Sequence, residues 1–436
     1  MYEVAEGTVT FQREPVPALF ARLPQCNTFS LIVSFHDGVA FEEDDEWGMA
    51  HFLEHLTLQG TPEYPSLTAL SGVLEAQGGK ISAFSTRDTV SYWAKVPSWA
   101  LDDAFTLLGK VLAPAEFDDG KVASERSIVF SEIDRESSTF RLSHGLMAEG
   151  SLMAPSRISR YPLGSRESLG RFTAGQCAAY RKRVYCSENA FISGAGSYEE
   201  SSLKRGLEGL VEALPCGEAR ERRDEKVHMV RRAPFSRFEC PGISQVNLVA
   251  GWLLAMESDE QWVVAGLLNT LLGTGFTSLL YRALREERRL TYLVSTQLRF
   301  YRRTGTFRIS LDVKPEDAGE ALEVIGGVIE KVKRGAFSGE ELKAAQARMW
   351  GSLVLRLEDT YEYALFLNRR LGAAAGPMRL REVKDAIFSI EGSDLADCAA
   401  SLLIDDRMLV SAASSREALD KITIRKGGSR NALERS

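Results

Sequence analysis

The sequence lacks both a long apolar run and a block of positive charge. Its longest apolar stretches, such as residues 30–35, have the length of a β-strand and fall far short of the ~18 apolar residues that a membrane-spanning helix needs. The 53 Lys and Arg residues are outnumbered by 60 Asp and Glu residues, which gives a formal net charge of −7. Nucleic-acid binding requires a basic surface for the phosphates. We therefore expect neither a nucleic-acid partner nor a membrane partner.

Cysteine and histidine are both scarce. The six cysteines are scattered, and no pair has the close spacing of a zinc knuckle or a redox CxxC motif. No cysteine has a histidine nearby in the sequence, so we interpret the cysteines as reduced, small apolar residues. The N-terminus is acidic and lacks the basic region and apolar run of an exported protein. We therefore expect a cytoplasmic protein.

The chain does contain enough apolar residues for a large core, since 44% of its 436 residues are hydrophobic. Two domains of roughly 200 residues and three of about 150 both fit this length. In the first half, alternating apolar residues predict strands, and apolar residues repeating every three to four positions predict helices. The predicted strands are 29–35, 80–85 and 89–96, and the predicted helices are 66–77, 98–112 and 117–136.

The second half repeats this order of elements after a polar stretch that begins at Cys216. The stretch has no periodicity that would bury a face, so we place a linker at 216–235, between an N-terminal domain, 1–215, and a C-terminal domain, 236–436. The repeated order suggests a duplicated α+β unit. Its predicted strands are 244–253, 292–300 and 305–313, and its predicted helices are 259–272, 278–288, 315–334 and 338–359.

The most informative residues are His51, Glu54 and His55, in a stretch of helical propensity. A separation of four places both imidazoles on one face of a helix, where they can share a tetrahedral Zn²⁺, and Glu54 lies on the same side. Such a cation needs a third protein ligand, commonly a Glu, and leaves the fourth position to water. The alternative is that these are two ordinary histidines on an amphipathic helix.

The arrangement His51-x-x-Glu54-His55 is the inverted zinc-peptidase signature. The chain resembles a short, two-domain, bacterial-type member of the family of pitrilysin, insulin-degrading enzyme and mitochondrial processing peptidase. Glu132 follows His55 by 77 residues and Glu125 precedes Glu132 by seven, which matches the spacing in that family. The resemblance implies that Glu132 is the third zinc ligand and Glu125 a group that supports the ligands. Without the histidines, both would be interpreted as exposed helix residues.

The resemblance also implies how peptides are bound and cut. Glu54 is then the general base acting on a zinc-bound water. Ser82, Ala83 and Phe84 follow a Gly-Gly turn and resemble the strand that accepts the substrate as an additional β-strand, although an ordinary hairpin explains the same pattern. The family more often has Asn at the position of Ser82.

In the second half, Arg285 and Tyr292 resemble the family's Arg and Tyr pair, seven residues apart. The Arg would bind carbonyl or carboxylate groups of the substrate, and the Tyr hydroxyl would hydrogen-bond the developing oxyanion. Otherwise, Arg285 is an exposed helix residue and Tyr292 an aromatic residue at a strand end. Two departures from the family pattern concern loop conformation: Leu279 stands where Arg is frequent, and Arg289 stands where Gly is usual.

By analogy with this family, we expect an α+β fold of two similar halves, each an antiparallel sheet packed against helices. One chain of this length would form half of a clamshell, which implies a homodimer or a heterodimer with a similar subunit. The predicted function is a zinc-dependent endopeptidase that hydrolyses peptides or unfolded polypeptides in an enclosed chamber. The alternatives are a non-hydrolytic or partner-dependent subunit of a heterodimeric peptide-processing protease, and a maturation protease for one precursor.

Overall fold

The computed structural model describes residues 16–217, 235–255, 259–301, 304–373 and 380–422. Most of the predicted linker, 216–235, therefore lies outside the described residues. The described helices and strands form two compact units, and each unit contains one five-stranded sheet. The strands are β1 Ala18–Arg22, β2 Thr28–Phe35, β3 Lys80–Ser85, β4 Val90–Pro97, β5 Ala190–Gly196, β6 Phe235–Glu239, β7 Val246–Ala255, β8 Val294–Tyr301, β9 Thr304–Val313 and β10 Leu409–Ser414.

The helices lie on both faces of the sheets. One of them, α10, continues as a π-helical turn over Arg282–Glu287. The helices are α1 Met49–Leu58, α2 Leu67–Glu75, α3 Leu101–Leu112, α4 Asp119–Ser138, α5 Phe140–Met153, α6 Arg166–Gly170, α7 Ala174–Val184, α8 Glu200–Ala213, α9 Asp259–Gly273, α10 Leu279–Tyr281, α11 Ala318–Lys333, α12 Gly339–Arg356, α13 Thr360–Gly372, α14 Leu380–Ser389, α15 Gly392–Leu402 and α16 Arg416–Asp420.

The two sheets have the same topology. In the first unit the strand order is β1-β5-β2-β4-β3, and in the second it is β6-β10-β7-β9-β8. In each sheet the first pair is parallel and the other three pairs are antiparallel. The predicted α+β fold of two similar halves is confirmed, with the addition that one outer strand of each sheet runs parallel to its neighbour.

In the first unit, β2 is buried on both faces, and its alternating side chains separate into two kinds. Phe29, Leu31, Val33 and Phe35 belong to the apolar core that α1, α2 and α3 cover. Ser30 and Ser34 point to the other face, as expected for the two-residue period of a strand. There Ser30 bonds to the hydroxyl of Thr360 and Ser34 to the amide of Asn368, both on α13.

The second unit repeats this arrangement with its central strand β7. One face of β7 contributes Leu248, Ala250 and Trp252 to an apolar core. On the other face, α5 packs so closely that a Cβ at Gly251 would lie 2.8 Å from Cδ1 of Leu152. His144 of α5 is buried there, with one ring nitrogen 2.6 Å from Oδ1 of Asn247.

Each compact unit thus includes a helix from the other half of the chain. The first unit contains Val354–Leu380 and with it α13, and the second contains Glu136–Pro155 and with it α5. Each exchanged helix supplies hydrogen-bond partners to buried polar side chains of its central strand, namely Ser30 and Ser34 of β2 and Asn247 of β7. The continuous domains 1–215 and 236–436 do not anticipate this exchange.

None of the helices in the described ranges combines the length and the apolar character that crossing a lipid bilayer requires.

Candidate metal centre

The helix α1 buries its apolar side against the first sheet and carries His51, Glu54 and His55. With 3.6 residues per turn, positions 51, 54 and 55 lie on the same face of the helix. His51 is only 7% exposed, whereas Glu54 and His55 are half-buried. The helix therefore presents three polar side chains at the border of the core. Its buried apolar residues are Met49, Ala50, Phe52, Leu53 and Leu56.

The start of α1 is held by the carboxylate of Glu42, which is fully buried. The backbone N–H groups of Gly48 and Ala50 each donate to one of its oxygens at 2.8 Å. These are among the N–H groups that have no partner inside a helix, so Glu42 satisfies them. Burial raises the pKa of Glu42 to about 8, although the two backbone donors lower it.

Two glycines permit a close backbone approach beside this cap. Gly48 has a left-handed φ of +91°, and a Cβ there would lie 2.6 Å from Cα of Gly164. The indole of Trp47 donates a 2.8 Å hydrogen bond to the carbonyl of Tyr161. The segment around Tyr161–Gly164 therefore fixes the position at which α1 begins.

Three potential ligand atoms converge on one point. The Oε2 atom of Glu132, on α4, lies 3.3 Å from Nε2 of His51 and 3.3 Å from Nε2 of His55. The two imidazole rings have their centroids 4.8 Å apart and are inclined by 67°. This trio is the group within the described ranges whose ligand atoms lie close enough to share one metal ion.

A further side chain contacts each ligand away from the convergence point. Glu125 lies seven residues, or two helical turns, before Glu132 on α4. Its Oε2 is 3.3 Å from Nδ1 of His55. Arg135 donates a 3.1 Å hydrogen bond to Oε1 of Glu132. On His51, Nδ1 lies 3.0 Å from the hydroxyl oxygen of Ser85, at the end of β3. Such contacts orient ligands and set which ring nitrogen carries the proton.

The electrostatics of the trio are those of a site built for a cation. Burial lowers the pKa of His55, but the carboxylates of Glu125 and Glu132 outweigh burial and raise it to about 9. The pKa of His51 is also raised, because Glu132 and Glu54 outweigh its burial. The imidazoles of His51 and His55 hold the pKa of Glu132 well below its usual range. Negative charge therefore dominates around both histidines.

The Oε2 atom of Glu54 is buried and makes no hydrogen bond among the described residues. This oxygen lies 3.6 Å from Nδ1 of His51. A buried carboxylate oxygen without a partner is costly unless a ligand or water satisfies it. Two imidazoles and one carboxylate that converge on one point are donors that zinc prefers, and the residues present fit Zn²⁺.

Sequence reasoning did not identify Glu42, Ser85 or Arg135. Glu42 belongs to an acidic run, 42–46, that looks like an exposed loop, and Arg135 looks like any charged helix residue. Ser85 directly follows the predicted substrate strand, and its position at the strand end is the one signal that points to it. Glu42 bonds to backbone N–H groups, and Ser85 and Arg135 bond to side chains of the trio. Such contacts have no characteristic spacing in the sequence.

The predicted substrate residues Ser82, Ala83 and Phe84 lie on β3, at the edge of the first sheet. They pair with β4 on one side, and all three are partly buried. An edge strand has backbone groups on its other side that can pair with an added strand.

Arg285 and Tyr292 belong to the second unit and contact each other. The guanidinium of Arg285 donates a 2.7 Å hydrogen bond to the carbonyl of Tyr292 and lies 4.2 Å from the centroid of its ring. The guanidinium carbon of Arg285 also lies 5.3 Å from the centroid of the Tyr281 ring. Tyr292 is 79% exposed. The sequence predicts a strand from residue 292, but β8 begins at Val294, so Tyr292 lies just before the strand.

Arg289 occupies the position where the family usually has Gly. Its φ is +57°, in the left-handed region that non-glycine residues rarely adopt. The turn allows the N–H of Leu290 to donate to the carbonyl of Leu284 at 2.8 Å, which closes the π-helical turn that carries Arg285. The backbone expected for Gly is therefore present with Arg in its place.

Comparison with known proteins agrees with this geometry. Residues 19–150 match the family described as Insulinase (Peptidase family M16), and residues 171–349 match the Peptidase M16 inactive domain. The first match contains the His, His and Glu trio. An uncharacterized zinc protease of Streptomyces coelicolor is 25% identical over 364 residues, which cover 81% of this chain and 79% of the relative. Another from Bacillus subtilis is 25% identical over 339 residues, covering 77% and 81%.

Solved structures share the fold. A peptidase M16 inactive domain from Pseudomonas fluorescens superposes with a TM-score of 0.84 at 18% identity, covering 98% of this chain and 99% of that one. A protease from Helicobacter pylori gives a TM-score of 0.82 at 18% identity, covering 95% and 99%. The two family matches together span more than half of the sequence. With the metal-ligand trio inside the first of them, the chain belongs to peptidase family M16.

Proposed function

We propose that this protein is a zinc-dependent endopeptidase that hydrolyses peptides or unfolded polypeptides in an enclosed chamber. One observation carries the proposal: Nε2 of His51 and Nε2 of His55 converge on Oε2 of Glu132, and the buried Oε2 of Glu54 lies beside them without a hydrogen-bond partner in the described part of the chain. A structural zinc site has four protein ligands, whereas three ligands plus an unpaired carboxylate are typical of hydrolytic sites.

The residues divide the chemistry among them. When bound, Zn²⁺ lowers the pKa of water and polarises the scissile carbonyl. His51, His55 and Glu132 hold the cation. Glu54 accepts a proton from the attacking water at Oε2 and passes it to the leaving amine. Because Oε2 of Glu54 makes no hydrogen bond among the described residues, it is available for this transfer.

Substrate binding is assigned to two further sets of residues. The edge strand β3, with Ser82, Ala83 and Phe84, pairs with the peptide backbone as an added strand, which favours loose sequence preference. Arg285 binds substrate carbonyl or carboxylate groups, and the hydroxyl of Tyr292 stabilises the oxyanion. Arg285 bonds to the carbonyl of Tyr292 and lies 4.2 Å from the centroid of its ring, which supports the pairing because it brings the two side chains together.

The proposal is tested by incubating the purified protein with a mixture of unstructured peptides, with and without a zinc chelator. We expect cleavage products by mass spectrometry, their loss on chelation, and their return when zinc is restored. Glu54→Gln should abolish cleavage while bound zinc, measured by elemental analysis, stays at one ion per chain. Glu212→Gln, on an exposed position of α8, is the matched control and should cleave normally.

The outcomes separate the candidate functions. Chelator-insensitive cleavage, or full activity of Glu54→Gln, would contradict the mechanism. Bound zinc without cleavage by the isolated chain would instead favour the non-hydrolytic or partner-dependent subunit, which a second chain would have to complete.

The proposed assembly is a homodimer, or a heterodimer with a similar subunit, because one chain of 436 residues is expected to form half of the enclosed chamber. Light scattering coupled to size-exclusion chromatography should give about twice the 48.2 kDa chain mass. A monomer that cleaves peptides would contradict this assembly. The cytoplasmic location stays a prediction, which cell fractionation tests.

A further inference from the structure

The hydroxyl of Ser85 contacts the ring nitrogen of His51 that faces away from Glu132. Ser85 is the last residue of β3, and its Oγ lies 3.0 Å from Nδ1 of His51. The same nitrogen lies 3.6 Å from Oε2 of Glu54, which exceeds hydrogen-bonding distance. Ser85 is therefore the hydrogen-bond partner that the described residues give to Nδ1.

We propose that Ser85 is a positioning residue that fixes His51 for metal binding and keeps Glu54 free for proton transfer. The inference rests on the proposed zinc site. An imidazole that binds a cation through Nε2 carries its proton on Nδ1, and this N–H needs an acceptor. The hydroxyl oxygen of Ser85 can accept that hydrogen bond.

The consequence for Glu54 follows from the two distances at Nδ1. With Ser85 as acceptor, the N–H of His51 points to the hydroxyl at 3.0 Å and not to the carboxylate at 3.6 Å. Without the hydroxyl, the carboxylate of Glu54, at 3.6 Å, is the one of these two acceptors that remains. Its carboxylate would then be drawn to the imidazole, and a base that is held in this way transfers protons poorly.

The two histidines are supported by different chemistry. His55 has a carboxylate, that of Glu125, at Nδ1, whereas His51 has a neutral hydroxyl. The hydroxyl comes from β3, whose backbone pairs with β4 from Lys80 to Ser85. The orientation of His51 is thereby coupled to the edge strand, so a displacement of β3 changes the geometry of a metal ligand.

The test uses Ser85→Ala and Ser85→Thr in the full chain. Ser85→Ala should lower zinc affinity about tenfold or more, measured by competition with a chromogenic chelator, since lost supporting contacts cost 10–100-fold. Ser85→Thr retains the hydroxyl and should restore the affinity to within about threefold of the unchanged protein. The kcat should fall in Ser85→Ala more than KM rises, because the base and metal are affected but not substrate pairing. The visible spectrum of the cobalt-substituted protein should change in Ser85→Ala alone.

Ser127→Ala is the matched control. It removes a hydroxyl from α4, the helix that carries Glu132, where Ser127 Oγ bonds only to the carbonyl of Ala123 among the described residues. It should match the unchanged protein in zinc affinity and cobalt spectrum. Equal zinc affinity and kcat in Ser85→Ala and the unchanged protein would overturn the role of Ser85 alone. Failure of the unchanged protein to bind zinc would overturn the proposed function and this inference together.

Discussion

The Oε2 atom of Glu125 lies 3.3 Å from Nδ1 of His55, while Oε2 of Glu132 lies 3.3 Å from Nε2 of the same ring. The two carboxylates thus contact opposite nitrogens of one imidazole. Because Oε2 of Glu132 also lies 3.3 Å from Nε2 of His51, we propose Glu132 as the ligand and Glu125 as the supporting residue. We expect Glu125→Ala to lower zinc affinity by about 10–100-fold and Glu125→Gln to lower it less, since the amide oxygen still accepts a hydrogen bond. Competition with a chromogenic chelator measures both.

Glu132→Ala provides the comparison for this prediction. Loss of one of three ligands should reduce zinc binding below detection at micromolar protein, well beyond the effect of Glu125→Ala. Equal losses in the two variants would contradict the division into ligand and supporting residue. Glu116→Ala, at an exposed position outside the site, should bind zinc normally.

Zinc binding should depend strongly on pH. Burial lowers the pKa of His55, but Glu125 and Glu132 outweigh it and raise the pKa to about 9 in the metal-free protein. Zinc must therefore displace a proton from this ring at every pH below about 9. We expect the logarithm of the zinc association constant to rise by at least about one for each pH unit between 6.5 and 9, because His51, whose pKa is also raised, adds to the slope. Isothermal titration calorimetry in buffers of different ionisation enthalpy should detect the released proton, and a flat profile would contradict the raised pKa.

The cap formed by Glu42 should contribute to stability with a defined pH dependence. Burial raises its pKa from 4.5 to about 8, so between these values the folded state binds more protons than the unfolded state. The free energy of unfolding contributed by Glu42 therefore falls as pH rises from about 4.5 to 8. Glu42→Gln cannot titrate and should have a flatter pH profile. Denaturant unfolding of both proteins at pH 5, 6.5 and 8, at the same zinc concentration, measures the difference, because the contribution of the histidines is then common to the two.

Glu42→Ala should be less stable than Glu42→Gln at every pH. It leaves the N–H groups of Gly48 and Ala50 buried without an acceptor, at a cost of about 1–3 kcal/mol for each. Glu63→Ala removes an exposed ion pair with Lys110 and should be far less destabilising than Glu42→Ala. Equal stability of Glu42→Ala and Glu63→Ala would contradict the capping role.

The parts of the site that follow a chain period were predictable. The separation of four between His51 and His55, and of seven between Glu125 and Glu132, are helical repeats, so spacing alone places each pair on one face. The edge position of β3 has no such period behind it and was expected only from the resemblance to the substrate-accepting strand of the family. Contacts between distant segments have no such period, and the acceptance of backbone N–H groups by Glu42 depends on a loop that sequence patterns do not describe.

The fold shows the same division. Alternation along β2 predicts that Ser30 and Ser34 share a face, but it does not say what covers that face. In the structure both serines are fully buried under α13, which lies more than 300 residues later. No local pattern indicates which helix covers a face. The exchange of α5 and α13 between the halves was therefore not predictable from periodicity.

The exchanged helix α13 gives a testable contact. The Oδ1 atom of Asn368 accepts a hydrogen bond from the hydroxyl of Ser34 at 3.2 Å. The Nδ2 atom of Asn368 donates to the same hydroxyl oxygen at 2.9 Å. Asn368→Ala removes this buried partner and should lower the free energy of unfolding by about 1–3 kcal/mol. Glu362→Ala, on the same helix, breaks a 3.6 Å surface ion pair with Arg356 and should cost less than about 1 kcal/mol. Equal effects in denaturant unfolding would contradict the role of α13 in closing the first sheet.

The left-handed backbone of Arg289 should be relieved by glycine. A φ of +57° costs an L-residue roughly 1–2 kcal/mol, while glycine adopts it freely but loses more backbone entropy on folding. We expect Arg289→Gly to raise the free energy of unfolding by about 0.5–1 kcal/mol. Arg288→Gly is the matched control, because Arg288 has a φ of −104° and gains nothing from glycine. It should lower the free energy of unfolding by a similar amount. Destabilisation by both variants in denaturant unfolding would show that the left-handed turn is not strained, and that Arg289 stabilises the turn through its side chain.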